Sequence, residues 1–203
     1  MDRKPNLDTF GLVSLIGFSA LLGLNQVVIK VVNEGLQPVF MAGLRSLGAA
    51  ALLYAWMRLI GTRPDFARAV WPSGLLAGAL FAGEFILLFL ALDLTSVARS
   101  AVMFYTMPVW FALMAHVLVP GERLDAQKLA GLGLAVVGIA VALFTRPGGD
   151  MGGSLWGDLL ALTGSLGWAG IAVVARVTPF AQVPPLMQMY WQLTVSAVIL
   201  LVA

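Results

Sequence analysis

Val70–Leu92 reads VWPSGLLAGALFAGEFILLFLAL. One charged side chain, Glu84, interrupts an apolar run long enough to cross a hydrocarbon core, which takes about 20 residues. The run is continuous and shows no period-2 alternation, so it predicts a helix and not a barrel strand. Gly74, Gly78 and Ala82 recur every fourth residue and mark one small face suited to close helix contact in lipid.

Six other runs have the same character. Spans are predicted at 10–32, 38–60, 95–118, 126–145, 155–177 and 184–203, giving seven with 70–92. The fifth carries a second small face at Gly131, Ala135, Gly138 and Ala142. The chain is 60% hydrophobic and 11% charged, against about 25% charged in soluble domains. Lipid is therefore its main solvent, and the fold class is an all-α integral membrane bundle. The first run is too long for a signal peptide and is followed by others like it. Cysteine is absent and His116 is the single histidine, which leaves no disulfide, thiolate or histidine-pair metal motif. Gly131-x-Gly133 lacks the third glycine and the preceding strand of a dinucleotide loop, and no P-loop occurs, so no cofactor is predicted. No basic patch is interleaved with aromatics, which argues against nucleic acid as a partner.

The cations set an orientation. Arg3 and Lys4 precede the first span, Arg58, Arg63 and Arg68 follow the second, Arg123 and Lys128 flank the fourth-to-fifth turn, and Arg176 ends the sixth. All fall on one side. Glu34, Asp93, Arg99, Arg146 and Asp150 fall on the other, with Lys30 just inside it. The positive-inside rule then predicts a cytoplasmic N-terminus.

A shift of 146 residues superposes the chain on itself. Gly11 meets Gly157, Ser19 meets Ser165, Val27-Val28 meets Val173-Val174, Val31 meets Val177, Pro38 meets Pro184, Met41 meets Met187, Leu47 meets Leu193 and Ala51 meets Ala197. Five spans separate the copies. Five is odd, so the second copy enters from the opposite side, which is an inverted-topology repeat of the transporter kind. Residues 1–150 are expected to form the first repeat and 151–203 the opening of the second, with the glycine-rich segment Arg146–Ser154 between them. On this logic the chain is expected to be incomplete.

Further landmarks lie along the chain. They are Asn25 and Lys30, then Pro38 and Arg45; Ala91-Leu92 with Thr95-Ser96-Val97-Ala98, running to Tyr105-Thr106-Met107-Pro108-Val109-Trp110; Gly121-Glu122-Arg123-Leu124 with Gln127; and Gly157-Asp158-Leu159-Leu160-Ala161-Leu162 with Trp168-Ala169. In this order and spacing the chain resembles the EamA-type exporters of the drug/metabolite transporter superfamily. The resemblance implies about ten helices in two inverted five-helix repeats with both termini cytoplasmic, of which about seven are present here. Where that family often has Trp-Gly or Trp-Ala in the first helix, this chain has Leu22-Gly23; the second copy keeps the pair as Trp168-Ala169.

A charge at the bilayer centre costs about 2.5–3.5 kcal/mol, so such residues face a bundle interior or water. At about 1.5 Å per residue, Glu84 lies about 21 Å, Asn25 about 22 Å and Arg45 about 20 Å from the cytoplasmic side. This shared level marks a candidate translocation site. Arg45 is the candidate for a substrate carboxylate and Glu84 the candidate proton carrier; the alternative is a static Arg45–Glu84 pair that only fixes packing. Asn25 and Gln26 point about 100° apart, so one of them faces a cavity, and Asn25 is the candidate. Lys30 either joins the site or snorkels to the interface. Tyr105 and Trp168 are candidate aromatic walls or lipid-facing rings. Pro108 breaks the backbone ladder of the fourth span, as a binding element, a hinge or a structural kink. His116 reads as structural.

Three functions compete. One is a secondary exporter of amino acids or related small metabolites across the bacterial inner membrane, proton-coupled or facilitated, with a small-molecule substrate and the bilayer as its partners. Another is a non-transporting fragment or scaffold, or a chain that pairs with a second copy to complete the fold. The third is an intramembrane enzyme, for which Ser14, Ser73 and His116 share a membrane face without forming a known motif.

Overall fold

The computed structural model describes Leu12, Val13, Ile16, Gly17, Ala20 and residues 37–62, 66–144 and 154–203. Most of the first predicted span, including Asn25 and Lys30, lies outside the described residues. Those that are described are helical or turn, with no strand among them. The helices are α1 (Pro38–Leu59), α2 (Trp71–Leu94), α3 (Val97–Phe104), α4 (Met107–Leu118), α5 (Ala126–Phe144), α6 (Leu155–Val177) and α7 (Pro185–Val202). Single 3-10 turns at Arg68–Val70 and Pro179–Gln182 lead into α2 and α7. Five helical stretches, counting α3–α4 as one, are long and apolar enough to cross a membrane.

The helix starts follow from local chemistry. Proline stands in the first turn of α1, α2, α4 and α7, where its missing N–H costs nothing. Ser96 and Ser154 cap α3 and α6, accepting the Arg99 and Trp156 N–H groups at 3.3 and 3.1 Å. Gly61, at φ +74°, turns the chain after α1 in a conformation open to glycine.

The fourth span corrects the sequence reading. It is not one helix over 95–118 but two, broken at Tyr105–Thr106. Pro108 cannot donate to the Phe104 carbonyl, so the ladder stops there. The chain turns through Thr106 N–H to the Met103 carbonyl at 3.2 Å and restarts with Val109 N–H on the Thr106 carbonyl at 2.9 Å.

Packing gives the directions of the helices. A Cβ on Gly43, early in α1, would lie 3.0 Å from Leu201, late in α7. Tyr54, late in α1, meets Tyr190, early in α7, at 6.2 Å between ring centroids. These two helices are the Pro38 and Pro184 copies of the repeat, and they run antiparallel, as an inverted repeat requires. α7 runs parallel to α2, with Gly74 against Trp191 and Gly78 against Val195. The small face of α2 is thus filled by α7. The small face of α5 is not: nothing among the described residues lies within 4 Å of a Cβ on Gly131, Gly133 or Gly138. α6 lies against α2, α3 and α4. One buried cluster gathers Met57, Val70, Phe180, Met187 and Trp191, and a second gathers Ala42, Ala82 and Leu200. Leu52, Leu59, Val117 and Leu134 point outward, as a lipid-facing surface does.

Candidate functional site

α6 runs antiparallel to α2 and parallel to α3–α4, because Thr95 and Arg99 meet its start and Phe111 meets Arg176 at its end. Depths can therefore be compared from one end. Glu84 lies about 15 Å from the Leu94 end of α2, Thr106 about 14 Å along the broken span, Ser165 about 15 Å along α6, and Arg45 about 10 Å along α1. They share a level near mid-membrane.

Glu84 is 4% exposed, and its Oε2 has no hydrogen-bond partner among the described residues. Glycines on α6 bring that helix against it. A Cβ on Gly164 would lie 3.3 Å from the Glu84 carbonyl oxygen and 3.5 Å from the Phe104 ring, and a Cβ on Gly167 would lie 3.6 Å from the Glu84 Cβ. Arg45 does not form an ion pair with Glu84. Its guanidinium sits over the Phe85 ring, 4.5 Å from the centroid, a contact that is worth about 2 kcal/mol when desolvated. The two charges still attract through space.

Beside Glu84 a polar chain crosses from the broken span to α6. The Thr106 and Ser165 hydroxyls lie 3.1 Å apart, and the Trp110 indole N–H donates to Thr106 at 3.0 Å. Phe104 and Trp168 stack above it, with centroids 5.3 Å apart. Of the predicted site residues, Arg45 and Glu84 lie near each other here, while Trp168, 39% exposed, touches the cluster only through Phe104. Pro108 lies in the first turn of α4 and is exposed. Tyr105 is 68% exposed and contributes nothing to the cluster. Asn25 and Lys30 lie outside the described residues. His116 accepts the Leu124 N–H on Nδ1 at 3.1 Å, and Ser73 donates to the Val70 carbonyl at 3.0 Å; both serve local structure. A cavity of about 480 Å³ lies away from this level, between the Met57 end of α1 and the Met187 end of α7.

Sequence reasoning missed two features. One is the Thr106–Ser165 bond, whose only trace was Ser165 matching Ser19 in the repeat. The other is an ion pair between the partly exposed Arg99 and the buried Asp158, which also accepts from the Thr95 hydroxyl at 3.1 Å. Arg99 reads as a loop cation until its partner is placed. A guanidinium, a carboxyl with one oxygen unpartnered among the described residues, and two hydroxyls near one level can hold a small polar molecule and carry a proton beside it.

Residues 9–144 match the EamA-like transporter family. The chain belongs to the EamA-like transporter family. It is similar to an uncharacterized inner membrane transporter, YedA, of Escherichia coli strain K12, with 28% identity over 180 residues, 88% of this chain and 56% of that protein. It is also similar to a probable amino-acid metabolite efflux pump of Salmonella typhimurium, with 32% identity over 163 residues, 75% of this chain and 50% of that protein. A third relative is the aromatic amino acid exporter YddG of Ancylobacter novellus, 29% identical over 184 residues, which cover 84% of this chain and 60% of that one. The chain thus spans about half the length of the curated relatives it matches. A solved crystal structure shares the fold at a TM-score of 0.69 and 24% identity, covering 93% of this chain and 64% of the other. This EamA-like chain is a multi-pass inner membrane protein of a transporter family, built as a helix bundle.

Proposed function

We propose that the chain carries out, or forms part of, secondary export of amino acids or related small metabolites by alternating access. The observation that carries the reading is the buried carboxyl of Glu84, whose Oε2 has no partner among the described residues, at the level where α2, α6 and the broken span converge in a bundle of a transporter family. An ionisable group at this depth is costly to keep and is the kind of residue that lines a transport path. Glu84 is the proton carrier of the reading, and Arg45, held only by an aromatic face, is free to take a substrate carboxylate. Residues 1–150 and 151–203 act as the two halves that rock about this level, and the N-terminus lies in the cytoplasm. Two relatives named for amino-acid efflux or export support the substrate class.

The test is a panel of amino acids and other small metabolites in proteoliposomes, with and without an imposed pH gradient. Accumulation of one amino acid, increased by the gradient in the protein and not in Glu84→Gln, is the expected result. No transport of any amino acid by well-folded protein would sink the reading.

A further inference from the structure

α6 is fastened by an ion pair to the broken span at its start and to the loop after that span at its end, and the two pairs differ in solvation. At its start, Asp158 is 4% exposed. Arg99 donates Nε to its Oδ1 at 3.1 Å and Nη2 to its Oδ2, and Thr95 donates to Oδ1 at 3.1 Å. The contact is sealed around this pair. A Cβ on Gly157 would lie 2.8 Å from the Thr95 Cβ, and the Ser154 N–H donates to the Leu94 carbonyl at 2.9 Å. At the other end, Arg176 reaches Glu122 at 2.7 Å and lies 4.8 Å over the Phe111 ring, with both side chains of the pair nearly half exposed. Ser165, Thr106 and Glu84 lie between the two.

The two pairs resist opening unequally. Breaking the two-pronged pair strands the Asp158 carboxylate out of water, although Arg99, 27% exposed, keeps access to it. The exposed pair exchanges its partner for water easily and weakens with salt. We propose that these pairs are the two latches of the transport path: Arg99–Asp158, with Thr95, closes it on one side of the membrane and Arg176–Glu122 closes it on the other. The proposal rests on the transport reading above. In this arrangement the Asp158 side is firmly sealed and the Arg176 side is the one poised to release. Asp158 and Arg99 are positioning residues: they hold α6 against the broken span and need not touch substrate.

The absence of native cysteine allows a direct test. Ser165→Cys places one thiol between the latches, and a membrane-impermeant maleimide is applied to either side in oriented membrane vesicles. Adding Asp158→Asn is expected to raise labelling about tenfold from the side carrying the Asp158 end and to leave the other side unchanged. Adding Glu122→Gln is expected to raise labelling from the opposite side. The Arg99→Asp/Asp158→Arg exchange is expected to bring labelling back toward the parent rate. Thr95→Val removes one hydroxyl, disturbs folding least, and is expected to give about a threefold rise on the Asp158 side. An unchanged rate in Thr95→Val or Asp158→Asn overturns the proposal, as does a rise that is equal from both sides. Labelling is read without substrate. Latches that behave as expected in a protein that exports no amino acid would overturn the substrate reading alone.

Discussion

Arg45 rests its guanidinium on the Phe85 ring, 4.5 Å from the centroid, while the neighbouring Glu84 keeps one carboxyl oxygen without a partner among the described residues. The guanidinium on α1 and the carboxyl on α2 therefore lie near each other without closing into an ion pair. A pair that served packing alone would gain most by closing, since each unpaired charge is costly at this depth. An aromatic face holds a cation more weakly than a two-pronged carboxylate does. The arrangement leaves Arg45 available to an incoming anion.

Arg45→Ala is accordingly expected to cut uptake of carboxylate-bearing substrates into inverted vesicles at least about tenfold. Arg45→Lys should keep part of the activity, because an ammonium supplies the charge without the planar fork. Phe85→Leu should have a milder effect, because it frees the guanidinium without removing it. Normal uptake by Arg45→Ala would remove the residue from the substrate path.

Glu84→Gln keeps the shape of the side chain and removes its titration. Export by this variant is expected to lose its response to an imposed pH gradient while the protein still reaches the membrane in normal amount. The measurement is the initial export rate over a series of gradients. A response equal to that of the parent would assign proton coupling to another group.

The spans were legible because a fixed hydrocarbon thickness demands a fixed run of apolar residues. α1 starts at Pro38, α5 at Ala126 and α6 at Leu155, as read from the sequence. The antiparallel relation of α1 and α7 was legible in the Pro38–Pro184 and Met41–Met187 correspondences, since the two spans are five apart in chain order and an odd shift reverses direction. Arg45 and Glu84 were legible as charges at one depth, but not as an unclosed pair. That outcome depends on Phe85, which looks like any other apolar residue of its run. Arg99 and Asp158 are 59 residues apart, and their pairing depends on how α6 docks. Pro108 announced a break, but the polar chain at the break needed Ser165 from another helix.

The Thr106–Ser165 contact joins the broken span to α6, and Trp110 depends on the same hydroxyl. In membranes such bonds contribute about 0.6 kcal/mol on average and up to about 1.7. A double-mutant cycle of Thr106→Val and Ser165→Ala, followed by unfolding in detergent, is expected to show a coupling in that range. Thr106→Val should be the costlier single change, because it also strands the Trp110 N–H. A coupling indistinguishable from zero would mean that the two hydroxyls are neighbours without a bond.

Glycines of two helices that read alike in the sequence are expected to respond in opposite ways. A Cβ on Gly74 would lie 2.6 Å from Trp191 Cδ2 and 2.9 Å from Cε3. That indole is 5% exposed, lies edge-on to Phe66 and Trp71, and keeps its own N–H unpartnered, so it has little room to retreat. Gly74→Ala should therefore destabilise the protein by about 1–3 kcal/mol, the usual cost of overfilling a close-packed contact. On α5, a Cβ at Gly131 meets nothing within 4 Å among the described residues. There the added methyl only stiffens a helix, and Gly131→Ala should be neutral or stabilising by up to about 1 kcal/mol. Thermal unfolding of the two variants in one detergent compares them directly. A loss at Gly131 as large as that at Gly74 would show that α5 meets a close neighbour beyond the described residues, and its small face would then be a packing surface like that of α2.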